Sequence, residues 1–301
     1  TLTKRNKMNK IDDKLNEFIA QLDYSVVSDM FAKISSGKKL RSKLIYKIAG
    51  DDEKSVRLCA VVELIHLASL LHDDVIDDAS LRRGKASINA LFGNKNAIML
   101  GHTLYSKGFF ELSKFDKKIA SLISDAVCKL SLGELMDVEL SKAFNSDENA
   151  YFRMIYYKTA VLIEAASGAA ALLVGADENS HKEYGKNLGI AFQIIDDILD
   201  ITSDEATLGK PAMSDFKEGK STLPYILLFK AQNESQKERL KALFAKDLSA
   251  DELSWLKEQF NKYKIIEKSV QIAKDYADKA LSAVSNAELK EVVNAMINRK
   301  F

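Results

Sequence analysis

The stretch Glu63–Gly84, ELIHLASLLHDDVIDDASLRRG, decides the fold. Leu64, Leu67, Ala68, Leu70 and Leu71 recur at the three- and four-residue spacing of one buried helix face, which predicts a central helix over Ser55–Asp78. The stretch then turns acidic, with Asp73, Asp74, Asp77 and Asp78. Asp73 and Asp77 lie one helical turn apart, so their carboxylates stack and repel by roughly a few tenths of a kcal/mol unless a cation lies between them. Acidic residues at a helix C-terminus also oppose its macrodipole, so four of them point to a ligand rather than to stability. Arg82, Arg83 and Gly84 follow at once.

A second copy supports that reading. Phe192–Asp200, FQIIDDILD, is again an apolar helical pattern ending in Asp196, Asp197 and Asp200. Two DDxxD clusters on apolar helices form a paired metal site if those helices face each other. All-carboxylate clusters suit Mg2+, which takes a few carboxylates together with phosphate oxygens. Glu63 and His66 also spell ExxH, a motif of di-iron bundles. Its second copy, Glu178 to His181, lies in GADENSHKEYG, which reads as a loop, whereas a di-iron site needs both motifs on facing helices.

The 301 residues are enough for a large core, and only two are proline, Pro211 and Pro224. A chain this poor in Pro and rich in Ala, Leu, Lys and Glu reads as all-α. The net charge of +1, with basic residues interleaved among acidic ones, excludes a nucleic-acid footprint. Two cysteines make no disulfide framework, which implies a reduced, cytoplasmic protein. No uninterrupted apolar run approaches 18 residues and the N-terminal stretch shows no apolar leader core, so neither a transmembrane helix nor a signal peptide is expected. Residues 95–113, 117–143, 147–174 and 182–203 read as further helices. With no linker and no fixed-period repeat, residues 1–301 read as one domain.

Other segments carry cations in unusual places. Lys38, Lys39 and Arg41 open a helix after Ser35-Ser36-Gly37, and cations at a helix N-terminus are unfavourable unless an anion binds there. Gly209-Lys210-Pro211 and Gly219-Lys220 frame a loop suited to closing over phosphate. Taken in order, SGKKLRSKL (36–44), the first Asp stretch, YYKTAVLIEAAS (156–167), FQIIDDILD and LGKPAMSDFKEGKSTLPYI (208–226) resemble the trans-polyprenyl diphosphate synthases of the medium- and long-chain type, close to octaprenyl diphosphate synthases. The resemblance covers nearly the whole chain. It departs at His102, in LGHTLYSKGF, where the usual pattern has Asp after the glycine.

The resemblance implies a single-domain, isoprenoid-synthase-like bundle of long helices around a central cavity. It implies head-to-tail condensation of isopentenyl diphosphate onto an allylic diphosphate such as farnesyl diphosphate. By the family pattern Asp73, Asp74, Asp77, Asp196, Asp197 and Asp200 hold Mg2+. Arg82, Lys158, Lys210 and Lys220 surround the allylic diphosphate, and Lys38, Arg41, His66 and Arg83 cradle isopentenyl diphosphate. Lys158, Thr159 and Gln193 are the catalytic group, the last two presenting oxygen dipoles to the allylic cation. A homodimer, with transient membrane contact to release the product, is the usual assembly.

Chain length is read from the positions four and five residues before Asp73. Family members that stop at farnesyl length place bulky aromatics there; this chain has Ser69 and Ala68. The central helix would span roughly 36 Å, enough to flank about seven isoprene units. A product near C40 is therefore expected. The readings left open are a shorter, geranylgeranyl-length synthase and a weakly active helical subunit of a heteromeric synthase.

Overall fold

The structure is a computed structural model that describes residues 2–35, 37–202 and 213–297, with side chains from residue 8 onward. It is all-α, interrupted among the described residues by one β-hairpin of two two-residue strands, Leu81–Arg82 and Lys85–Ala86. The contacts group the chain into two compact units, residues 1–128 with 164–182, and residues 129–163 with 183–301. The boundaries fall inside helices rather than in linkers.

The first unit is built on α4 (Glu53–Ile76), packed by α1 (Leu2–Ala20), α3 (Leu40–Ala49), α5 (Ile88–Phe92) and α6 (Asn94–Leu112). The short α2 (Ser25–Phe31) lies between α1 and α3 in sequence. Asp52 caps α4, accepting from the Ser55 N–H at 2.8 Å. The expected start at Ser55 thus moves two residues earlier, because the cap and the acidic first turn at Glu53 already satisfy orphan amides. Leu58, Cys59, Ala60, Val61, Val62, Leu64, Ile65 and Ala68 are all fully buried, so α4 is apolar all round, as a central helix must be. By length and composition α4 could cross a bilayer, contrary to the expectation from uninterrupted runs. Its most apolar window is 78% buried inside the protein, which accounts for its composition. Gly108 and Gly101 let α6 approach α4. A Cβ on Gly108 would touch Ile65, and one on Gly101 would lie 2.3 Å from the His72 ring.

The second unit carries the end of α7 (Lys117–Leu140), α8 (Glu148–Ile155), most of α10 (Glu178–Thr202) and the helices from Ser214 onward. Its core gathers Ile201, Met213, Phe216, Tyr225, Leu228 and Leu240, with Phe216 stacked on Tyr225 at 4.1 Å. Helices Glu234–Leu243 and Ala250–Lys262 each begin with a capping box, Asn233 with Gln236 and Ser249 with Glu252.

Two expected elements differ. Residues 147–174 are not one helix: α8 gives way to a π-helical turn, Tyr156–Ala160, before α9 (Val161–Leu173). And α10 begins at Glu178, so GADENSHKEYG is helical over its second half. Asp177 starts it by accepting from the Ser180 N–H at 3.0 Å.

Candidate active site

In the first unit α4 stops inside its own acidic run. Asp77 is the C-cap and Asp78 takes a left-handed φ of 48°. The Asp77 N–H still donates to the Asp73 carbonyl at 2.8 Å, so these two residues keep their one-turn spacing. Asp73 is half-buried and Asp77 exposed, whereas Asp74 is 3% exposed and accepts from Arg82 Nε. Burial pushes the Asp74 carboxyl up, and Arg82 pulls it back.

The hairpin delivers both arginines. Its turn residues, Arg83 at φ 54° and Gly84 at φ 72°, are both left-handed, as a two-residue turn matching the strand twist requires. Arg83 pays about 1 kcal/mol or more for that conformation. In return its Nη1 donates to the Ser35 carbonyl at 2.8 Å. A Cβ on residue 37 would lie 2.7 Å from the Arg83 Nη2, so Gly37 is what lets the guanidinium lie there.

Arg41, in the first turn of α3, and Glu63 and His66 of α4 complete an electrostatic group with Arg83. Burial lowers the Arg41 pKa to about 10, against the pull of Glu63, and its buried Nε has no hydrogen-bond partner among the described residues. Burial, and then the charges of Arg41, Arg83 and Arg82, hold the His66 imidazole well below its usual range. Glu63 is 4% exposed and accepts from the Ser42 hydroxyl at 2.6 Å; burial raises its pKa. Here the first ExxH is committed to a polar group inside the unit. The His181 ring of the second turns back to the Asp177 carbonyl at 2.7 Å. Lys38 is exposed ahead of α3, and Lys39, the α3 N-cap, pairs with Asp12. Ala68 and Ser69 are both buried, the Ser69 hydroxyl donating to the His66 carbonyl at 2.8 Å. His102 lies with its Nδ1 2.9 Å from the Ile98 carbonyl and its ring 5.2 Å from that of His72.

In the second unit the π turn presents Lys158 and Thr159. It is pressed from two sides: a Cβ on Gly133 of α7 would lie 2.2 Å from the Lys158 nitrogen, and one on Gly189 of α10 would lie 2.6 Å from the Ala160 Cα. Lys158 Nζ sits between Glu134, at 2.9 Å, and Asp137, at 2.5 Å. A polar chain then runs to the second cluster. Thr159 Oγ1 donates to Gln193 Oε1 at 2.8 Å, Gln193 Nε2 to Asp197 Oδ1 at 2.9 Å, and the Tyr151 hydroxyl to Asp197 Oδ2. Asp197 is 3% exposed; burial, and then the charge of Asp215, push its carboxyl well up, against those two donors. Lys158, Thr159, Gln193, Asp197 and Lys220 all line one cleft of about 130 Å³, so five of the expected site residues meet there.

Asp196 is half-buried, while Asp200 is 2% exposed and turned to another task. Its Oδ1 accepts from the Ser214 hydroxyl at 2.8 Å and its Oδ2 from the Asp215 N–H at 3.1 Å. Lys220 pairs with Glu218. Lys210 lies outside the described residues. The sequence reading missed Glu134, Asp137 and Tyr151, which hold the expected residues, and Thr222 at the cleft, whose hydroxyl has no hydrogen-bond partner among the described residues. It also missed the two glycines that shape the π turn.

A model of the polyprenyl synthetase family matches residues 25–260. The chain belongs to the polyprenyl synthetase family. Like its family, it is a prenyltransferase that acts in isoprenoid synthesis, and the family uses a divalent metal. A solved octaprenyl pyrophosphate synthase of Helicobacter pylori is 45% identical, with a TM-score of 0.94 over 98% of this chain and 99% of that one. A polyprenyl synthase of Caulobacter crescentus, solved with calcium and isoprenyl diphosphate, is 28% identical, with a TM-score of 0.88 over 99% and 96%. A short chain isoprenyl diphosphate synthase of Methanothermobacter thermautotrophicus is 34% identical over 87% of this chain and 85% of its own length.

For this polyprenyl synthetase the donor set fits a hard divalent cation. The two clusters offer carboxylate oxygens alone, and Asp73, Asp77 and Asp196 retain exposure. Among the described residues no three His, Cys, Asp or Glu side chains enclose a metal ion.

Proposed function

We propose that this chain condenses isopentenyl diphosphate onto farnesyl diphosphate and makes a trans-polyprenyl diphosphate near C40, with Mg2+ as its metal. The observation that carries the length is the pair Ala68 and Ser69, small and fully or nearly fully buried one turn before Asp73 on a 24-residue helix. The likeness to the Helicobacter octaprenyl enzyme supports it. Asp73, Asp74, Asp77, Asp196, Asp197 and Asp200 are the residues that would hold Mg2+. Of these, Asp200 as placed mainly anchors the Ser214–Asp215 segment. When bound, the metal supplies positive charge against which an allylic diphosphate can leave.

The remaining roles belong to the chain. Arg41 and Arg83, with Glu63 and the neutral His66 imidazole beside them, suit the diphosphate of isopentenyl diphosphate, Arg by bidentate contact and the imidazole by its N–H. Lys38 reaches the same anion from the surface. Arg82, Lys158 and Lys220 add charge around the allylic diphosphate, with Lys210 joining from outside the described residues. Thr159 and Gln193, hydrogen-bonded to each other, hold their oxygens in a fixed direction toward a developing allylic cation.

Both Cys59 and Cys128 are free thiols, which suits action in a reducing cytoplasm. Assembly as a homodimer rests on the family resemblance and is tested by light scattering. A shorter product is the second reading, favoured by the likeness to the short chain synthase. The test is incubation of the purified chain with farnesyl diphosphate, isopentenyl diphosphate and Mg2+, followed by chromatography. A main product near C40 is expected, and C20 would establish the shorter reading. Ser69→Phe is expected to shorten the product with turnover retained; an unchanged product distribution would contradict the role of that face of α4.

A further inference from the structure

One cavity within the first unit lies at the end of α4 opposite its Asp cluster. It has about 460 Å³, inside the roughly 300–1,000 Å³ range of small-ligand sites. Lys54 stands 19 residues before Asp73, so the cavity is about 29 Å from that cluster along the helix. Its floor is apolar, formed by Phe115, Ile119, Leu172 and Leu173, and its rim carries Lys54, Arg57 and Lys114.

The rim cations belong to a cluster with excess positive charge. Arg57 Nη1, at 2.5 Å, and Lys107 and Lys114 Nζ, at 2.8 and 2.9 Å, converge on one carboxylate, Glu111, which is fully buried. Three cations thus share a single buried counter-charge, and the cluster is further fixed by Lys107 and Lys114 over the Phe110 ring. The two acids at the rim, Glu53 at 4.0 Å from Arg57 and Asp116 bonded to the Lys118 N–H at 2.8 Å, reduce that excess, and Lys54, Arg57, Lys107 and Lys114 against Glu53, Glu111 and Asp116 leave one positive charge. Arg57 and Lys114 keep 25% and 43% of their side-chain surface, so their charge reaches the opening.

We propose that this cavity binds an anionic amphiphile, a phosphate headgroup on a hydrocarbon chain. The headgroup would meet Lys54, Arg57 and Lys114, and the chain would lie on Leu172, Leu173 and Ile119. Apolar floor and cationic rim each fit one half of such a molecule. Nothing in this assignment depends on the Asp clusters or on product length.

The test is calorimetric titration of the full chain with monomeric dodecyl phosphate, with dodecanol and inorganic phosphate as the two halves alone. Saturable binding at one site is expected for dodecyl phosphate only. Lys54→Glu and Leu173→Ser should each weaken it about tenfold, the scale of one lost charge-assisted or apolar contact, while prenyl transfer and thermal unfolding stay as in the wild type. Lys54 is exposed, so its variant keeps the test valid if Leu173→Ser fails to fold. A parallel sedimentation with phosphatidylglycerol vesicles separates the sources. Vesicle binding lost in the same variants assigns a membrane lipid, and monomer binding without vesicle binding assigns a soluble prenyl phosphate. No saturable binding of dodecyl phosphate below about 1 mM, or equal binding by wild type and both variants, overturns the proposal.

Discussion

In the first Asp cluster the buried carboxylate, Asp74, is met by a guanidinium, Arg82. In the second, Asp197 is met by a phenol and an amide, Tyr151 and Gln193, and Asp200 by the hydroxyl of Ser214. The same DDxxD lettering is therefore held in two ways. A cation offsets the desolvation of a carboxylate directly, and salt weakens that help wherever solvent reaches the pair. Neutral donors spread the charge without cancelling it. Asp215 and Asp196 add further negative charge beside Asp197, so the second region stays acidic even though it is buried. Its nearby cations are occupied, Lys158 by Glu134 and Asp137 and Lys220 by Glu218. The first region meets its buried acid with a cation; the second meets Asp197 and Asp200 with neutral donors.

The comparison can be broken most forcefully at the π turn. Gly133→Ala puts a methyl 2.2 Å from the Lys158 nitrogen and should cost about 3 kcal/mol of stability, read by urea unfolding, because backbone rather than a flexible side chain has to move. Turnover should fall as well, since Lys158 and Thr159 move with that backbone. An Ala variant of wild-type stability would mean that the turn is not set by this contact. Next comes Arg82→Ala, which leaves Asp74 buried and unanswered. With 30% of the Arg82 side chain exposed, a loss of about 2 kcal/mol is expected, shrinking as salt is raised.

Tyr151→Phe should cost less, about 1 kcal/mol, and the same at low and high salt, because a neutral donor is lost. Equal salt dependence in the two variants would erase the distinction between the regions. The smallest effect is at the other end of α4. Asp52→Ala removes the N-cap and should cost about 0.5–1 kcal/mol near pH 7. The Ser55 amide and hydroxyl hold the Asp52 pKa below its ordinary value. Its contribution is therefore present above the unfolded value of about 3.9 and is lost as pH falls through the lower folded one. Stability curves of wild type and variant should converge there.

Residue type and spacing made much of this legible. Lys158, Thr159, Gln193, Asp197 and Lys220 come from three separate stretches, yet they line one cleft. The apolar run before Asp73 marked the central helix to within two residues at either end. The π turn had no local signal: YYKTA holds no Pro or Gly, and the close contacts it makes are with Gly133 and Gly189, on helices that meet it only after folding. The start of α10 was misread because a polar stretch flanked by glycines looks like a loop. Asp177 as a cap with Glu178 in the first turn was the signal available. Burial was not legible either, since nothing in DDILD says that Asp200 would face Ser214 and the Asp215 amide while Asp196 is only half-buried.

The most direct measurement is the Mg2+ dependence of prenyl transfer in wild type, Asp73→Asn and Asp196→Asn, each first shown to keep wild-type unfolding. Both variants should lose about 10²–10³-fold in kcat, the scale of one removed transition-state charge contact, and should need more Mg2+ to reach half of their maximum. Turnover that survives chelation of all divalent metal, or an Asp196→Asn enzyme as fast as wild type at every Mg2+ concentration, would contradict the account.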